Sequence, residues 1–210
     1  MLLAGATGVV GRECLRLLSD DPSVAEIRAL VRRPLSPDSC GPRVRQQLAD
    51  FDRLESHGEW FRVSRVFCAL GTTMKQAGSR DAFRRVDYDY PLAVAQLALR
   101  AGATHFLLVS ALGANSESRV FYNRVKGEIE TAICGLGFRA VTIVRPSFLL
   151  GDRKEPRLGE AIGRRLGFLL PPRYRQVPAW QVAAALVYAA RVEASGIRVI
   201  ENAELRSRLR

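Results

Sequence analysis

Residues Leu2 to Gly11 read Leu-Leu-Ala-Gly-Ala-Thr-Gly-Val-Val-Gly, and this stretch decides the fold that the sequence predicts. Apolar residues lead through three glycines directly into a helical pattern, which is typical of the strand, turn and helix start of a dinucleotide-binding βαβ unit. We expect Gly5 to permit the turn, Gly8 to let a pyrophosphate approach the backbone, and Gly11 to let the helix pack closely on the sheet. The spacing G-x-x-G-x-x-G differs from the commoner G-x-G-x-x-G, and a turn that only joins a strand to a helix is the alternative.

A phosphate at this turn would meet the free N–H groups and the positive end of a helix that begins near Val9. The residues of the turn that we expect to contact a cofactor are Gly5, Ala6, Thr7, Gly8, Val9, Val10 and Gly11.

Beyond the turn, short apolar runs alternate with helical patterns. This alternation predicts an α/β fold: a Rossmann-type, doubly wound and mainly parallel sheet, covered by helices on both faces, in a single domain over residues 1–210. After the first strand, strands are predicted at 27–31, 44–48, 65–70, 106–109, 139–144 and 197–200, and helices at 9–18, 79–101, 119–136 and 179–191. Pro91 is expected in the first turn of a new helix capped by Asp89. Residues 151–178 are predicted to form a small, irregular substrate-side excursion, with one helix around 158–166.

Charge and composition limit the functions that the protein can have. The 210 residues carry a formal net charge of +11, and Lys75, Lys126 and Lys154 are the only lysines among 32 basic residues. The arginines are scattered instead of forming a block, which argues against a nucleic-acid partner and leaves a general affinity for polyanions open.

The sequence gives little support to a membrane or metal protein. No run reaches the ~18 apolar residues of a membrane span, and Met1 leads directly into the first strand, so we expect a cytoplasmic protein without a membrane partner. Four widely spaced cysteines, Cys14, Cys40, Cys68 and Cys134, predict reduced thiols and no metal site. His57 is expected to be solvated and His105 to be a packing residue.

The end of the second strand bears on the choice of cofactor. Arg32 and Arg33 lie about 20 residues beyond the glycines, where an acid would favour NAD and an arginine can bind the 2′-phosphate of NADP. NADP(H) is therefore preferred and NAD(H) is the alternative; two solvated arginines at a strand end are the simpler interpretation.

Two further strand ends are expected at the same edge of the sheet. Asp50 and Phe51 follow the third strand, where a carboxylate and an aromatic ring would border an adenine. Leu70, Gly71 and Thr72 follow the fourth strand as a small, open turn that a ligand can approach closely.

A tyrosine and a lysine supply the predicted chemistry. On a helix, Tyr122 and Lys126 share one face, so the ammonium would lower the cost of a phenolate and suit Tyr122 to acid/base work on a carbonyl or alcohol. Lys126 would also hydrogen-bond the nicotinamide ribose. Ser110, at the end of the fifth strand, is the candidate that orients the substrate. A helix-surface tyrosine beside a solvated lysine is the alternative.

The chain resembles an atypical short-chain dehydrogenase/reductase, most closely the Tat-interacting oxidoreductase-like branch, which is related to the NmrA-like NAD(P)-binding proteins. The resemblance covers nearly the whole sequence and is carried by residues 5–11, 31–33, 70–73, 77–79, 86–87, 108–110, Tyr122, 126–128, 145–147 and 149–151. It implies a Rossmann-type fold, NADP(H) binding and an oxidoreductase of unassigned substrate. It also places Arg145, Pro146 and Ser147 at the cofactor.

The sequence departs from this family at one position. The active serine of the family is usually the second of a Ser-Ser pair, and here that position is Ala111. Ser147 is a candidate substitute.

Two functions follow from these residues. The first is an NADP-dependent reductase or dehydrogenase of a small carbonyl or alcohol, in which Tyr122 and Lys126 form the acid/base pair. The second is a non-catalytic regulatory or interaction protein that senses NADP(H), which Ala111 favours. A homodimer is common in related folds, and no residue of the sequence argues for one.

Overall fold

A seven-stranded parallel sheet organises the molecule. The computed structural model describes residues 1–37, 41–147, 149–150, 171, 174–192 and 195–207. The strands are β1 (Leu2–Ala4), β2 (Ile27–Val31), β3 (Val44–Leu48), β4 (Arg65–Cys68), β5 (His105–Val109), β6 (Ala140–Arg145), β7 (Leu149–Leu150), β8 (Val177–Pro178) and β9 (Gly196–Glu201). The sheet has the order β3-β2-β1-β4-β5-β6-β9, and β7 pairs with β8 separately, also in parallel. The predicted α/β, Rossmann-type fold is confirmed.

Helices cover both faces of the sheet. They are α1 (Val9–Asp20), α2 (Met74–Ala77), α3 (Arg80–Arg84), α4 (Tyr90–Arg100), α5 (Phe121–Cys134), α6 (Ala179–Arg191) and α7 (Asn202–Ser207), with a 3₁₀ segment at Leu54–Phe61. One core layer packs α1 and α6 against the sheet, and the other packs α4 and α5. Because both faces are buried, the central strands consist mostly of apolar residues, as parallel strands usually do.

The winding of the sheet reverses beside β1. The chain runs from β1 outward through β2 and β3, then returns to pair β4 with the other side of β1. In such sheets ligands bind beyond the carboxyl ends of the strands at this reversal. The segments at that position are the glycine turn after β1 and residues 69–72 after β4.

Two of the glycines in the turn are required by close backbone contacts. Gly5 has φ +91°, and a Cβ there would lie 2.5 Å from the carbonyl oxygen of Ala69. A Cβ on Gly11 would lie 2.0 Å from the carbonyl oxygen of Gly5. The roles predicted for Gly5 in the turn and Gly11 in close packing are therefore confirmed, and α1 begins at Val9 as expected.

The helix before β5 differs from the prediction. Asp89 has helical φ and ψ and makes no side-chain cap, because the chain passes from α3 to α4 through a π-helical turn at Arg85–Asp89. Pro91 explains this turn, since proline has no N–H to donate to the carbonyl four residues earlier and its ring clashes with that carbonyl. The Tyr90 N–H donates instead to the Arg85 carbonyl. The prediction of a cap at Asp89 is wrong.

The C-terminal third is described only in part. Helix α6 has the predicted bounds, and β9 extends the predicted 197–200 by one residue at each end. The predicted helix around 158–166 lies outside the described residues, and so does most of the predicted excursion at 151–178. The single domain over residues 1–210 therefore stays a prediction.

Candidate cofactor and active site

Two adjoining cavities lie at the carboxyl edge of the sheet. The tyrosine cavity, of about 130 Å³, is lined by Gly8, Val9, Val10, Ala69, Leu70, Gly71, Thr72, Thr73, Gln76, Asp87, Val109, Ser110, Ala111, Tyr122, Lys126, Pro146, Ser147 and Leu149. The arginine cavity, of about 80 Å³, is lined by Gly5, Thr7, Gly8, Leu30, Val31, Arg32, Phe51, Ala69, Leu70, Gly71, Val86 and Tyr90. They share backbone at Gly8 and at residues 69–71, so together they form one groove across the reversal of the sheet.

The N-terminus of α1 meets the groove where the two cavities join. Gly8 is the N-cap, and its own N–H donates to the Gly5 carbonyl at 3.0 Å. The N–H groups of the first helical turn have no partner within the helix, and with the helix dipole they favour an anion at this point. Ala6 and Gly11 were also expected at the cofactor, but both are buried and line neither cavity.

Only one of the two candidate arginines lines the arginine cavity. Arg32 lines the cavity, whereas Arg33 is exposed and does not. The floor of the cavity includes Phe51, whose ring centroid lies 5.4 Å from that of Tyr90. Asp50 is exposed and outside the lining, and its Oδ1 accepts the N–H of Asp52 at 3.0 Å. The structure therefore brings Arg32 and Phe51 together and leaves Arg33 and Asp50 apart from them.

A buried ion pair forms one wall of the tyrosine cavity. Lys126 Nζ lies 2.7 Å from Asp87 Oδ1, and the two side chains are 5% and 1% exposed. The other carboxylate oxygen of Asp87 accepts the N–H of Thr72 at 2.8 Å. Burial pushes the pKa of Lys126 down, but the Asp87 carboxylate and the Tyr122 phenol more than offset this effect, and the pKa stays above its ordinary value.

Tyr122 is positioned by aromatic packing. Its ring centroid lies 5.4 Å from that of Phe83, which α3 contributes and which is completely buried. The Tyr122 side chain is half-buried, and its hydroxyl makes no hydrogen bond within the described residues. The phenol of Tyr122 is therefore held by its ring, while its oxygen is left for a ligand.

The placement of α5 depends on a third close glycine contact. A Cβ on Gly127 would lie 2.1 Å from the backbone nitrogen of Ser116, so the helix packs directly on the loop before it. The Asn115 N–H also donates to the Asn123 carbonyl at 3.0 Å. These contacts fix the first turns of the helix, from which Tyr122 and Lys126 project.

Neither serine offers a substrate a hydroxyl that is both accessible and free of hydrogen bonds. Ser110 Oγ is inaccessible and has no hydrogen-bond partner among the described residues. Ala111 occupies the family's serine position and lines the cavity without a polar side-chain atom. Ser147 Oγ donates to the Tyr174 carbonyl at 3.1 Å, so a substrate oxygen would have to compete for its proton.

Arg145 is directed away from the groove. Its guanidinium contacts Glu130 Oε2 at 2.5 Å and Glu201 Oε1 at 2.9 Å, and it lines neither cavity. The hydrogen bonds to Glu130 hold the pKa of Arg145 above its ordinary value. Arg145 therefore joins β6 to α5 and β9 in place of the cofactor contact expected from the resemblance, whereas its neighbours Pro146 and Ser147 do line the tyrosine cavity.

Asp87 and Tyr90 are site residues that the sequence reasoning did not assign. Asp87 belongs to a run that carries the family resemblance, but its partner Lys126 lies on a distant helix. Tyr90 packs on Phe51, and its hydroxyl donates to Asp52 Oδ2 at 3.2 Å. Both are brought to the groove by the start of α4, which Pro91 predicted, and by the π turn, which local sequence patterns did not predict.

The fold and this groove define the class of protein: an α/β protein with a nicotinamide dinucleotide site. The profile of the family described as NAD(P)H-binding matches residues 5–192. The chain belongs to this NAD(P)H-binding family, and the family resemblance predicted from the sequence is confirmed.

Relatives with substantial identity cover most of the chain. Protein HTATIP2 of Rattus norvegicus is 36% identical over 173 residues, which is 81% of this chain and 71% of the relative. Protein FMP52, mitochondrial, of Eremothecium gossypii is 32% identical over an alignment of 219 positions, gaps included, that covers 98% of this chain and 95% of the relative. Because the fungal relatives are named mitochondrial, the cytoplasmic location stays a prediction. No helix within the described residues is long and apolar enough to cross a membrane.

Solved structures share the fold at lower identity. The dTDP-glucose 4,6-dehydratase DesIV of Streptomyces venezuelae, a double mutant with NAD and DAU bound, superimposes with a TM-score of 0.75 at 17% identity, over 97% of this chain and 78% of that one. MoeE5 in complex with UDP-glucose and NAD gives 0.73 at 18% identity, over 94% and 74%. This likeness shows the fold alone.

Proposed function

We propose that this protein is an NADP-dependent oxidoreductase that transfers hydride between the nicotinamide and a small carbonyl or alcohol. The observation that carries this proposal is the continuity of the two cavities across Gly8. One end of the groove holds Tyr122 and Lys126, the other holds Arg32, and the positive end of α1 lies between them. A dinucleotide has the same order of groups: a reactive ring, a diphosphate and an adenosine.

The residues fit such a cofactor. The turn at Gly8 and Gly71 presents backbone without side chains, which suits close approach of a diphosphate and a ribose. When bound, the nicotinamide would supply or accept the hydride. Lys126 would bind its ribose, and Tyr122 would donate a proton to the carbonyl oxygen in reduction or accept one in oxidation.

Replacing Tyr122 by Phe tests the catalytic part of this proposal. The ring and its packing on Phe83 are kept, while the proton that would move is lost. We expect turnover with NADPH to fall by about 10²-fold or more and the Kd for NADPH to stay within a few-fold. Val120→Ala, an exposed change just before the same helix, is the matched control. Unchanged turnover in Tyr122→Phe would remove Tyr122 from the mechanism.

The two arginines allow a paired test of cofactor choice. Arg32 lines the cavity and Arg33 does not, so Arg32→Asp should weaken NADPH binding by about tenfold or more relative to NADH, while Arg33→Asp should change the ratio little. Calorimetry with both coenzymes measures this ratio. Equal effects of the two substitutions would mean that Arg32 does not bind the 2′-phosphate.

A second function is favoured by the serines. Ala111 lacks a hydroxyl, Ser110 Oγ is inaccessible and the Ser147 hydroxyl is engaged, so none of these three positions presents a free hydroxyl to a substrate carbonyl. A regulatory or interaction protein that senses NADP(H) without turnover would need none. Binding of NADPH without its oxidation across a broad panel of aldehydes and ketones would favour this second function.

A further inference from the structure

Asp87 joins two parts of the tyrosine cavity that come from different elements. Its Oδ1 lies 2.7 Å from Lys126 Nζ on α5, and its Oδ2 accepts the Thr72 N–H at 2.8 Å from the turn after β4. One carboxylate therefore contacts both the lysine and the turn that a nicotinamide ribose would touch. The carboxylate thereby ties the position of α5 to the position of that turn.

The turn covers the ion pair closely. A Cβ on Gly71 would lie 3.4 Å from Asp87 Oδ1 and 3.7 Å from Lys126 Nζ. Bare backbone thus lies directly beside the pair, and the Thr72 hydrogen bond ties this backbone to the Asp87 carboxylate.

The π turn is what brings Asp87 to this position. Asp87 lies within Arg85–Asp89, the segment in which Pro91 forces the helix out of its regular hydrogen bonding. The neighbouring residues Val86 and Tyr90 line the arginine cavity, whereas Asp87 lines the tyrosine cavity. Such π-helical turns are frequent at functional sites.

The electrostatics of the pair follow from its burial. An ammonium that is 5% exposed would lose its proton readily without a compensating charge. The groups that face it are the Asp87 carboxylate, the Tyr122 phenol on its own helix and the Cys68 thiol on β4. Burial raises the pKa of Cys68 to about 12, so this thiol is neutral near pH 7 and Asp87 supplies the negative charge.

We propose that Asp87 is a positioning residue that keeps Lys126 charged and holds it against the Gly71–Thr72 turn, so that both meet the nicotinamide ribose together. The inference rests on the proposed function and deepens it. The Lys126 ammonium lies 2.7 Å from Asp87 Oδ1 and carries three protons, so it can meet this carboxylate and still donate to the ribose hydroxyls. Tyr122 then faces a lysine whose charge is balanced by Asp87, whereas the spacing of Tyr122 and Lys126 in the sequence suggests a lone cation.

The three lysines of this chain make a direct test practical. Protein labelled with ¹³C,¹⁵N-lysine should show three side-chain signals, and Lys75→Arg and Lys154→Arg assign that of Lys126 by elimination. Asp87→Asn keeps the size of the side chain and an oxygen for the Thr72 N–H but removes the charge. Asp89→Asn, an exposed change in the same π turn, is the matched control.

The titration of Lys126 decides the proposal without any assay of activity. We expect the Lys126 pKa to fall by at least about two units in Asp87→Asn and to stay unchanged in Asp89→Asn. The same Lys126 titration in wild type and Asp87→Asn would overturn the proposal. Should Asp87→Asn not fold, the wild type decides: a Lys126 pKa above the ordinary lysine value supports the proposal, and one below it contradicts the proposal.

Binding and turnover then separate a positioning role from a merely structural one. At pH 7 we expect Asp87→Asn to weaken NADPH binding by about tenfold. Turnover falls above a certain pH, and we expect this pH to move down together with the Lys126 pKa. A variant that lost stability only would keep the wild-type pH profile, and that result would overturn the positioning role. If the wild type bound no NADPH, the proposed function would fail, while the Lys126 titration would still report on the ion pair.

Discussion

The two cavities share the backbone around Gly8 but differ in how their far ends are built. The arginine cavity ends at Arg32, an exposed side chain that makes no ion pair with a described residue. The tyrosine cavity ends at Lys126 and Asp87, a pair that is almost fully buried. An exposed arginine can be exchanged at little cost to the fold, whereas a buried ion pair cannot. The cofactor choice that we propose for Arg32 is therefore separable from stability, and the chemistry that we propose for Lys126 is not.

The largest effect is expected at the buried end. Lys126→Met leaves the Asp87 carboxylate buried without its counter-charge, and we expect the free energy of unfolding to fall by about 3–5 kcal/mol. Urea denaturation measures the loss. The double variant Asp87→Asn/Lys126→Met removes both charges and keeps an acceptor for the Thr72 N–H, so it should recover most of the stability. A double variant as unstable as the single one would show that the charge of Asp87 is not the cause.

The next largest loss of stability is expected from a substitution in the glycine turn, where the two cavities join. In Gly11→Ala the new methyl group would lie 2.0 Å from the Gly5 carbonyl oxygen, so α1 must move away from the turn. We expect a loss of about 1–3 kcal/mol of stability and weaker binding of NADPH and NADH alike. Gly135→Ala, where a Cβ meets nothing closer than 3.6 Å, is the matched control. Selective loss of NADPH binding alone would contradict a shared diphosphate site.

His105, at the amino end of β5, should give a pH effect on stability that is independent of the buried pair of Lys126 and Asp87. Burial, with the charges of Arg65 and Arg139, lowers the pKa of His105 from 6.5 to about 4, and its Nε2 lies 2.9 Å from Thr142 Oγ1. The unfolded chain therefore binds the proton more readily, and stability should fall as the pH drops from 6.5 to about 4. Thermal unfolding across this range should show a shallower fall in His105→Gln. Identical profiles would assign the acid sensitivity to other groups.

The smallest effect is expected at the exposed end. Arg32→Ala should change the free energy of unfolding by less than about 0.5 kcal/mol, because the side chain is exposed and forms no ion pair with any residue that the structure describes. Urea denaturation without nucleotide measures this. A loss near that of Lys126→Met would mean that the two ends of the groove are not built differently.

Much of the fold follows from local patterns in the sequence. The bounds of β2 and α6 were predictable because each is an apolar run between residues that favour turns, and those of β3 because a valine and a leucine bound a short run between turn residues. The glycine turn was predictable because close backbone contact leaves no alternative residue at Gly5 or Gly11. The π turn was not, since the effect of Pro91 depends on whether the helix before it continues.

Site residues that lie together on one segment were predictable from the sequence. Those that several segments bring together were not. Tyr122 and Lys126 share a helix face, which spacing reveals. Asp87 was missed because its partner is on a different helix. The expectation for Arg145 does not match the structure, since Glu130 and Glu201, which bind its guanidinium, come from α5 and β9.

A crystal structure with NADPH tests the central claim most directly. We predict the diphosphate at the N-terminus of α1 beside Gly8, the 2′-phosphate within reach of Arg32, and the nicotinamide ribose hydrogen-bonded to Lys126 with the ring beside Tyr122. A nucleotide bound elsewhere, or a groove that stays empty at saturating NADPH, would contradict it.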